Sequence, residues 1–207
     1  MERIFQIIKE GDDETQLLFV ADVHTLITEK YFNTYWSPES FKQISNQHII
    51  DTVNRHSPKS TLDIGCGLNS FKEKIPNLVG IDPYIDSWGP DQKTTLYEFH
   101  RDNSGKQFDA ILALESINYG PYPKILQELE MVNNLLADDG HLYMRVNPGV
   151  PIRCPGFAMA ELIEVFYWTK EFAYKLQTIY GWEIQEFVED STEEGRPVYY
   201  IHFHKES

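Results

Sequence analysis

Leu62-Asp63-Ile64-Gly65-Cys66-Gly67 is the stretch on which the reading of this chain turns. The apolar run ending at Ile64 suits a strand covered on both faces, and the glycines suit a sharp turn leaving it. Glycine takes positive φ without steric cost, and its missing Cβ lets the backbone close against a ligand. The turn is expected to open a short helix over residues 69–75. In open α/β sheets, ligands bind beyond the carboxyl ends of the strands, where the strand order reverses. This turn belongs there.

Outward from the turn the chain alternates. Residues 60–64, 78–82, 94–99, 108–114 and 141–146 read as strands. Ser37-Pro38-Glu39 has the form of an N-cap with proline at the first helical position, opening a helix to about residue 56. Residues 123–137 make an amphipathic helix that stops at Asp138-Asp139-Gly140. A long helix is expected over 157–180, with Gly181 just past its end. The strands 182–188 and 197–204 close the chain as an antiparallel hairpin. The pattern predicts an α/β fold: a Rossmann-like, seven-stranded, mostly parallel sheet with an antiparallel terminal strand and helices on both faces. Before residue 35, a hairpin pairing 4–9 with 16–22 and a helix over 20–30 both fit.

Gly80-Ile81-Asp82-Pro83-Tyr84 ends the next strand, with Asp82 nineteen residues beyond Asp63. A carboxylate there accepts hydrogen bonds from both hydroxyls of a ribose, at roughly 1.5–3 kcal/mol for charge-assisted bonds. Pro83 and Tyr84 supply a face on which a purine packs. A terminal antiparallel hairpin sets the chain apart from dinucleotide-binding domains, which continue with parallel strands, and Ser70 occupies the position of their third glycine.

These residues resemble the class I S-adenosylmethionine-dependent methyltransferases from about Lys59 to Val146, with the terminal hairpin extending the likeness to Phe203. The resemblance implies that Asp63, Gly65, Cys66 and Gly67 cradle the methionine part of S-adenosylmethionine. It implies that Asp82 holds the ribose, that Pro83 and Tyr84 flank the adenine, and that Ala113, Leu114 and Glu115 approach the methionine end. Glu98 and His100 are alternative partners for the adenine amino group at the end of the third strand. The chain departs from the family at Asn69, where a third glycine is common, and Asn tolerates left-handed backbone.

Methyl transfer from a sulfonium is an in-line displacement, so holding the acceptor in line supplies much of the acceleration and no universal catalytic residue is required. A hydroxyl acceptor needs a general base, whereas a thiol, amine or activated carbon can react without one. The acceptor pocket is expected from the loop after the fourth strand, residues 115–120, with Asn147-Pro148-Gly149 facing it. Glu115, Asn118 and Tyr119 are the catalytic candidates, and loop capping by the same side chains is an equal alternative. Tyr31, Tyr35 and Trp36 form an aromatic group before the first core helix. His202 and His204 share one face of the last strand, but three or four ligands are normally needed and no metal is expected.

Composition narrows the partners. The net charge of −14 repels phosphate backbones, and the Lys and Arg are scattered rather than clustered. A small-molecule acceptor is therefore expected, and nucleic acid is not. No apolar run approaches the ~20 residues of a membrane span, and the amino terminus is too charged for a signal peptide. With two widely separated cysteines, Cys66 and Cys154, a cytoplasmic protein is expected. One methyltransferase domain over 1–207 is expected, with 1–36 an extension or lid and 37–207 the core. Most aromatic residues of 157–180 are expected in the core or at its rim, with any exposed remainder suiting a homodimer contact or an apolar acceptor. A methyltransferase of nucleic acid or protein, and a non-enzymatic module of the same fold, are the alternatives.

Overall fold

The computed structural model describes residues 23–35, 47–84, 89–191 and 195–206. They divide into two compact units. One contains the described residues of 37–150 and 165–206, and the other 23–35 with 151–164. The segments 4–22 and 37–46, with Ser37-Pro38-Glu39, and Trp36 lie outside the described residues.

The larger unit is a six-stranded sheet of β1 (Thr61–Ile64), β2 (Leu78–Ile81), β3 (Phe108–Leu114), β4 (Leu136–Val146), β5 (Trp182–Ser191) and β6 (Pro197–Lys205). The order is β2-β1-β3-β4-β6-β5, parallel from β2 to β4 and antiparallel where β6 meets β4 and β5. The helices are α1 (Gln47–His56), α2 (Leu96–Asp102), α3 (Tyr122–Leu135) and α4 (Lys170–Tyr180). Alternation along the strands builds a core on each face. Leu62, Ile111, Leu142 and Ile201 pack with Phe99 of α2, Leu129 of α3 and Leu176 of α4. Leu112 and Tyr143 on the other face pack with Ile49, Ile50 and Val53 of α1. Each such buried aliphatic side chain contributes roughly 1.5–3 kcal/mol.

The α/β sheet and its terminal hairpin are as expected, with three corrections. Residues 94–99 are not a seventh strand. Thr95 caps α2, its hydroxyl accepting from the Glu98 N–H while the Glu98 carboxylate accepts from the Thr95 N–H, a reciprocal box that commits the segment to helix. Among the described residues, the edge of β2 away from β1 carries a single bridge, from Gln92 to Ile81. Residues 69–75 form successive turns rather than a helix, because Gly67 and Asn69 hold φ of 54° and 53°, outside the helical region. The helix expected over 157–180 is two pieces, a 3-10 turn Ala158–Leu162 and α4. Between them Val165 bridges to Tyr119 and Tyr167 to Pro148, and the Phe166 N–H donates to the Asn118 carbonyl, so the backbone is spent on tertiary pairing. Thr169 then caps α4, and Gly181 ends it at φ 71° as expected.

In the smaller unit, residues 23–30 are helical and continue into the π-helical turn Tyr31–Tyr35. The Tyr35 ring stacks on Phe157 at 4.7 Å. Among the described residues, no helix is long and apolar enough to cross a membrane.

Candidate functional site

The carboxyl ends of β1, β2 and β3 bring the glycine turn, Asp82 and the Glu115–Gly120 loop into one neighbourhood. Gly65 sits at φ 67°, and a Cβ on it would lie 2.5 Å from the Ser116 Cβ. Only glycine fits there. The Gly65 and Cys66 N–H groups donate to the Ile81 carbonyl, tying the turn to the end of β2. Asp82 is buried, its Oδ2 accepting from the Gly67 N–H at 3.1 Å and its Oδ1 from the Tyr84 N–H at 2.8 Å. These two backbone donors orient the carboxylate at the end of β2.

Asp63 is 2% exposed and faces the same neighbourhood with its Oδ2 buried and unpartnered among the described residues. Burial, reinforced by the charge of Asp82, pushes its pKa up to about 8. A cation or donor brought to this carboxyl lowers it again. Burial also pushes the Cys66 thiol well above its ordinary value, so Cys66 packs as an inert side chain rather than a nucleophile.

The loop after β3 carries two more buried atoms without a hydrogen-bond partner among the described residues, Ser116 Oγ and Asn118 Nδ2. Asn118 Oδ1 accepts from the Asn147 N–H, and the Asn147 side chain brackets Val150 through both its backbone groups, so the loops after β3 and β4 face each other as expected. Leu114 is buried at the end of β3. Glu115 follows it at φ 64°, and its carboxylate pairs with Arg145 at 3.1 Å and Arg196 at 2.6 Å. Tyr119 is half-buried, with its carbonyl accepting from Lys124 Nζ.

Of the expected set, Asp63, Gly65, Cys66, Gly67, Asp82, Pro83, Tyr84, Leu114 and Glu115 lie at the strand ends. Glu98 does not. Its carboxylate is exposed and spent on the α2 cap, and the strand end that was to carry it to the adenine is absent. His100 lies in the last turn of the same helix. The grouping of Glu115 with Arg145 and Arg196 had no sequence signal, because the three come from separate strand ends.

A doubly wound sheet with its last strand inserted antiparallel beside β4, and a glycine turn facing a buried acid, define a class I methyltransferase fold. The chain belongs to the methyltransferase-domain family, whose model matches residues 39–187. No curated protein matches the sequence significantly. Solved structures share the fold. The 1,6-didemethyltoxoflavin-N1-methyltransferase of Burkholderia thailandensis, solved with 1,6-didemethyltoxoflavin and S-adenosylhomocysteine, superposes at TM-score 0.67 with 13% identity, covering 91% of this chain and 89% of its own. The N-methyltransferase NodS of Bradyrhizobium japonicum WM9, in complex with S-adenosylhomocysteine, gives TM-score 0.59 at 16% identity over 89% of this chain and 98% of its own. The magnesium protoporphyrin IX methyltransferase of Synechocystis PCC 6803, also with S-adenosylhomocysteine, gives 0.60 at 13% identity over 88% and 99%.

Proposed function

We propose that this methyltransferase binds S-adenosylmethionine at the glycine turn and transfers its methyl group to a small-molecule acceptor. The observation that carries the reading is that Asp63 Oδ2, Ser116 Oγ and Asn118 Nδ2 are among the buried polar atoms lacking a hydrogen-bond partner among the described residues. They sit on β1 and on the loop after β3, where the resemblance implies that the cofactor binds. Buried polar groups without partners cost roughly 1–3 kcal/mol each, and a polar ligand repays that cost. An amino-acid moiety with an ammonium and a carboxylate offers both the donors Asp63 accepts and the acceptors Ser116 and Asn118 serve.

In this reading Asp82, held by Gly67 and Tyr84, accepts from the ribose hydroxyls, and Pro83 and Tyr84 flank the base. The bound sulfonium supplies an activated methyl group. The chain's own work is to hold the acceptor in line and keep water out. Glu115 is paired with two arginines and braces the turn rather than taking a proton. Tyr119, half-buried on the same loop, is the candidate to touch the acceptor. The net charge of −14, and the small-molecule acceptors named for the toxoflavin and porphyrin methyltransferases, support an acceptor of that class.

Isothermal titration with S-adenosylmethionine and S-adenosylhomocysteine, beside the nicotinamide cofactors, tests the cofactor. Micromolar binding of the first pair is expected, followed by methyl transfer in a screen of small amines, thiols and hydroxyl compounds. A folded protein that binds neither sulfur compound sinks the proposal in favour of a non-enzymatic module.

A further inference from the structure

The amino-terminal half of β4 and its partner β6 carry a feature unrelated to the glycine turn. His141 on β4, His202 on β6 and His56, the last residue of α1, each place one ring nitrogen within 4.8 Å of the others. His202 is 7% exposed, His141 is half-buried and His56 faces solvent. The sequence paired His202 with His204 on one strand face and offered no third ligand. The third is supplied by a helix packed over the sheet, and the second by the neighbouring strand.

We propose that His56, His141 and His202 bind a divalent first-row transition metal, with Zn2+ the reference ion. The geometry is close to what such an ion requires. His202 Nε2 and His141 Nδ1 are 3.1 Å apart in a hydrogen bond, so a proton lies between two nitrogens aimed at each other. Tetrahedral Zn2+ at about 2.0–2.1 Å from each nitrogen needs them roughly 3.3–3.4 Å apart, and it takes the proton's place with a shift of a few tenths of an ångström. His56 has the farther to travel. It is the exposed side chain at a helix end, and rotamer change is cheapest there.

The surroundings are those of a held site. The Tyr143 ring stacks on His202 at 4.4 Å, fixing the buried imidazole's plane. His204 stacks on His141 at 4.8 Å, and Asp139 Oδ1 lies 3.9 Å from His204 Nε2, placing a carboxylate at the rim. Imidazole nitrogen suits Zn2+, Ni2+, Co2+ and Cu2+, and an all-nitrogen set disfavours Mg2+ and Ca2+. Arg55, next to His56, opposes a cation, and it is engaged with Thr52 Oγ1 at 2.9 Å. The fourth position lies on the His56 side, toward solvent, for water or for His204.

Such an ion ties the end of α1 to β4 and β6. His141 is in register with Ala110, which is in register with Thr61, the first residue of β1, whereas the glycine turn follows Ile64, the last. At about 3.3 Å per residue the two sites are roughly 10 Å apart along the strand. The metal is therefore a clamp on the helix, separate from the transfer chemistry.

The test uses the full chain without a polyhistidine tag, stripped with chelator and dialysed against Zn2+ and, separately, Co2+. One ion per chain by elemental analysis is expected, with visible absorption of tetrahedral Co2+, and with a raised thermal midpoint. His56→Ala removes an exposed ligand and leaves the fold intact, and it should weaken binding by about a hundredfold or more. Absence of stoichiometric binding to the folded chain, or binding undiminished in His56→Ala and in His141→Gln, overturns the proposal and leaves three neighbouring imidazoles that only pack.

Discussion

Arg145 Nε lies 3.1 Å from Glu115 Oε1, joining the middle of the sheet to the first residue of the loop after β3. Arg145 is 2% exposed and Glu115 sits in left-handed backbone, so a buried cation anchors a strained turn. Removing one partner of a buried pair costs roughly 3–5 kcal/mol, because the other charge is left in low dielectric. Glu115→Ala should therefore lose about 3 kcal/mol of stability in denaturant unfolding. A variant that keeps full stability and loses only methyl transfer would instead make Glu115 the general base.

Gly65 tests the turn itself. Gly65→Ala forces a Cβ to 2.5 Å from the Ser116 Cβ and puts an alanine at φ 67°. The left-handed conformation costs roughly 1–2 kcal/mol and the overpacking roughly 1–3 kcal/mol. Adding Ser116→Gly removes the clash and leaves the backbone penalty. The double variant should recover part of the thermal midpoint lost in the single one, and calorimetry should show cofactor binding impaired in both. No recovery at all would mean that the two loops do not meet as described.

Asp82 carries the ribose assignment. Asp82→Ala should weaken S-adenosylmethionine binding by roughly 30- to 150-fold, equivalent to about 2–3 kcal/mol. Asp82→Asn keeps one oxygen to accept from the Gly67 or Tyr84 N–H, so it should keep more of the stability than the alanine variant while still losing affinity. Unchanged affinity in the folded alanine variant, measured by titration calorimetry, removes Asp82 from the cofactor site.

The parts of this site that were legible in the sequence are those dictated by local rules. Buried parallel strands need apolar runs, which exposed Leu62–Ile64 and 108–114, and positive φ needs glycine, which exposed Gly65 and Gly67. The terminal hairpin was legible because the loop between its strands is short. Residues 94–99 misled because Thr94, Thr95, Tyr97 and Phe99 suit a strand, yet Thr95-x-x-Glu98 is also a capping box, and the cap prevailed. The helical spacing of 157–180 could not reveal that Phe166 and Trp168 bond back to Asn118 and Ile117. Glu115 with its arginines, and His56 with the sheet histidines, are tertiary meetings with no periodic trace.

Asp63 gives the stability a pH dependence. Its folded pKa, about 8, lies above the 3.8 of the ordinary carboxyl, so the folded chain holds a proton that the unfolded chain releases. This contribution is fully present below about pH 4 and is lost as the pH rises towards and through 8, with a slope of at most about 1.4 kcal/mol per unit. Asp63→Asn cannot ionise. Relative to the parent it should gain stability steadily between pH 5 and pH 8 in urea unfolding without ligand. If both proteins respond identically over that range, Asp63 is ionised in the folded chain and its proton cannot be what keeps it buried.

Glu98 separates a cap from a cofactor contact. Thr95→Ala deletes the hydroxyl that accepts from the Glu98 N–H, and should cost about 1 kcal/mol of stability, as N-cap losses typically do. Glu98→Gln keeps an oxygen able to accept from the Thr95 N–H and should change stability less than Thr95→Ala. Because the Glu98 side chain is exposed and turned to its own helix, neither variant should alter S-adenosylmethionine affinity by more than about twofold, well under 1.4 kcal/mol. A tenfold loss in Glu98→Gln, with α2 intact by circular dichroism, would put Glu98 back against the adenine.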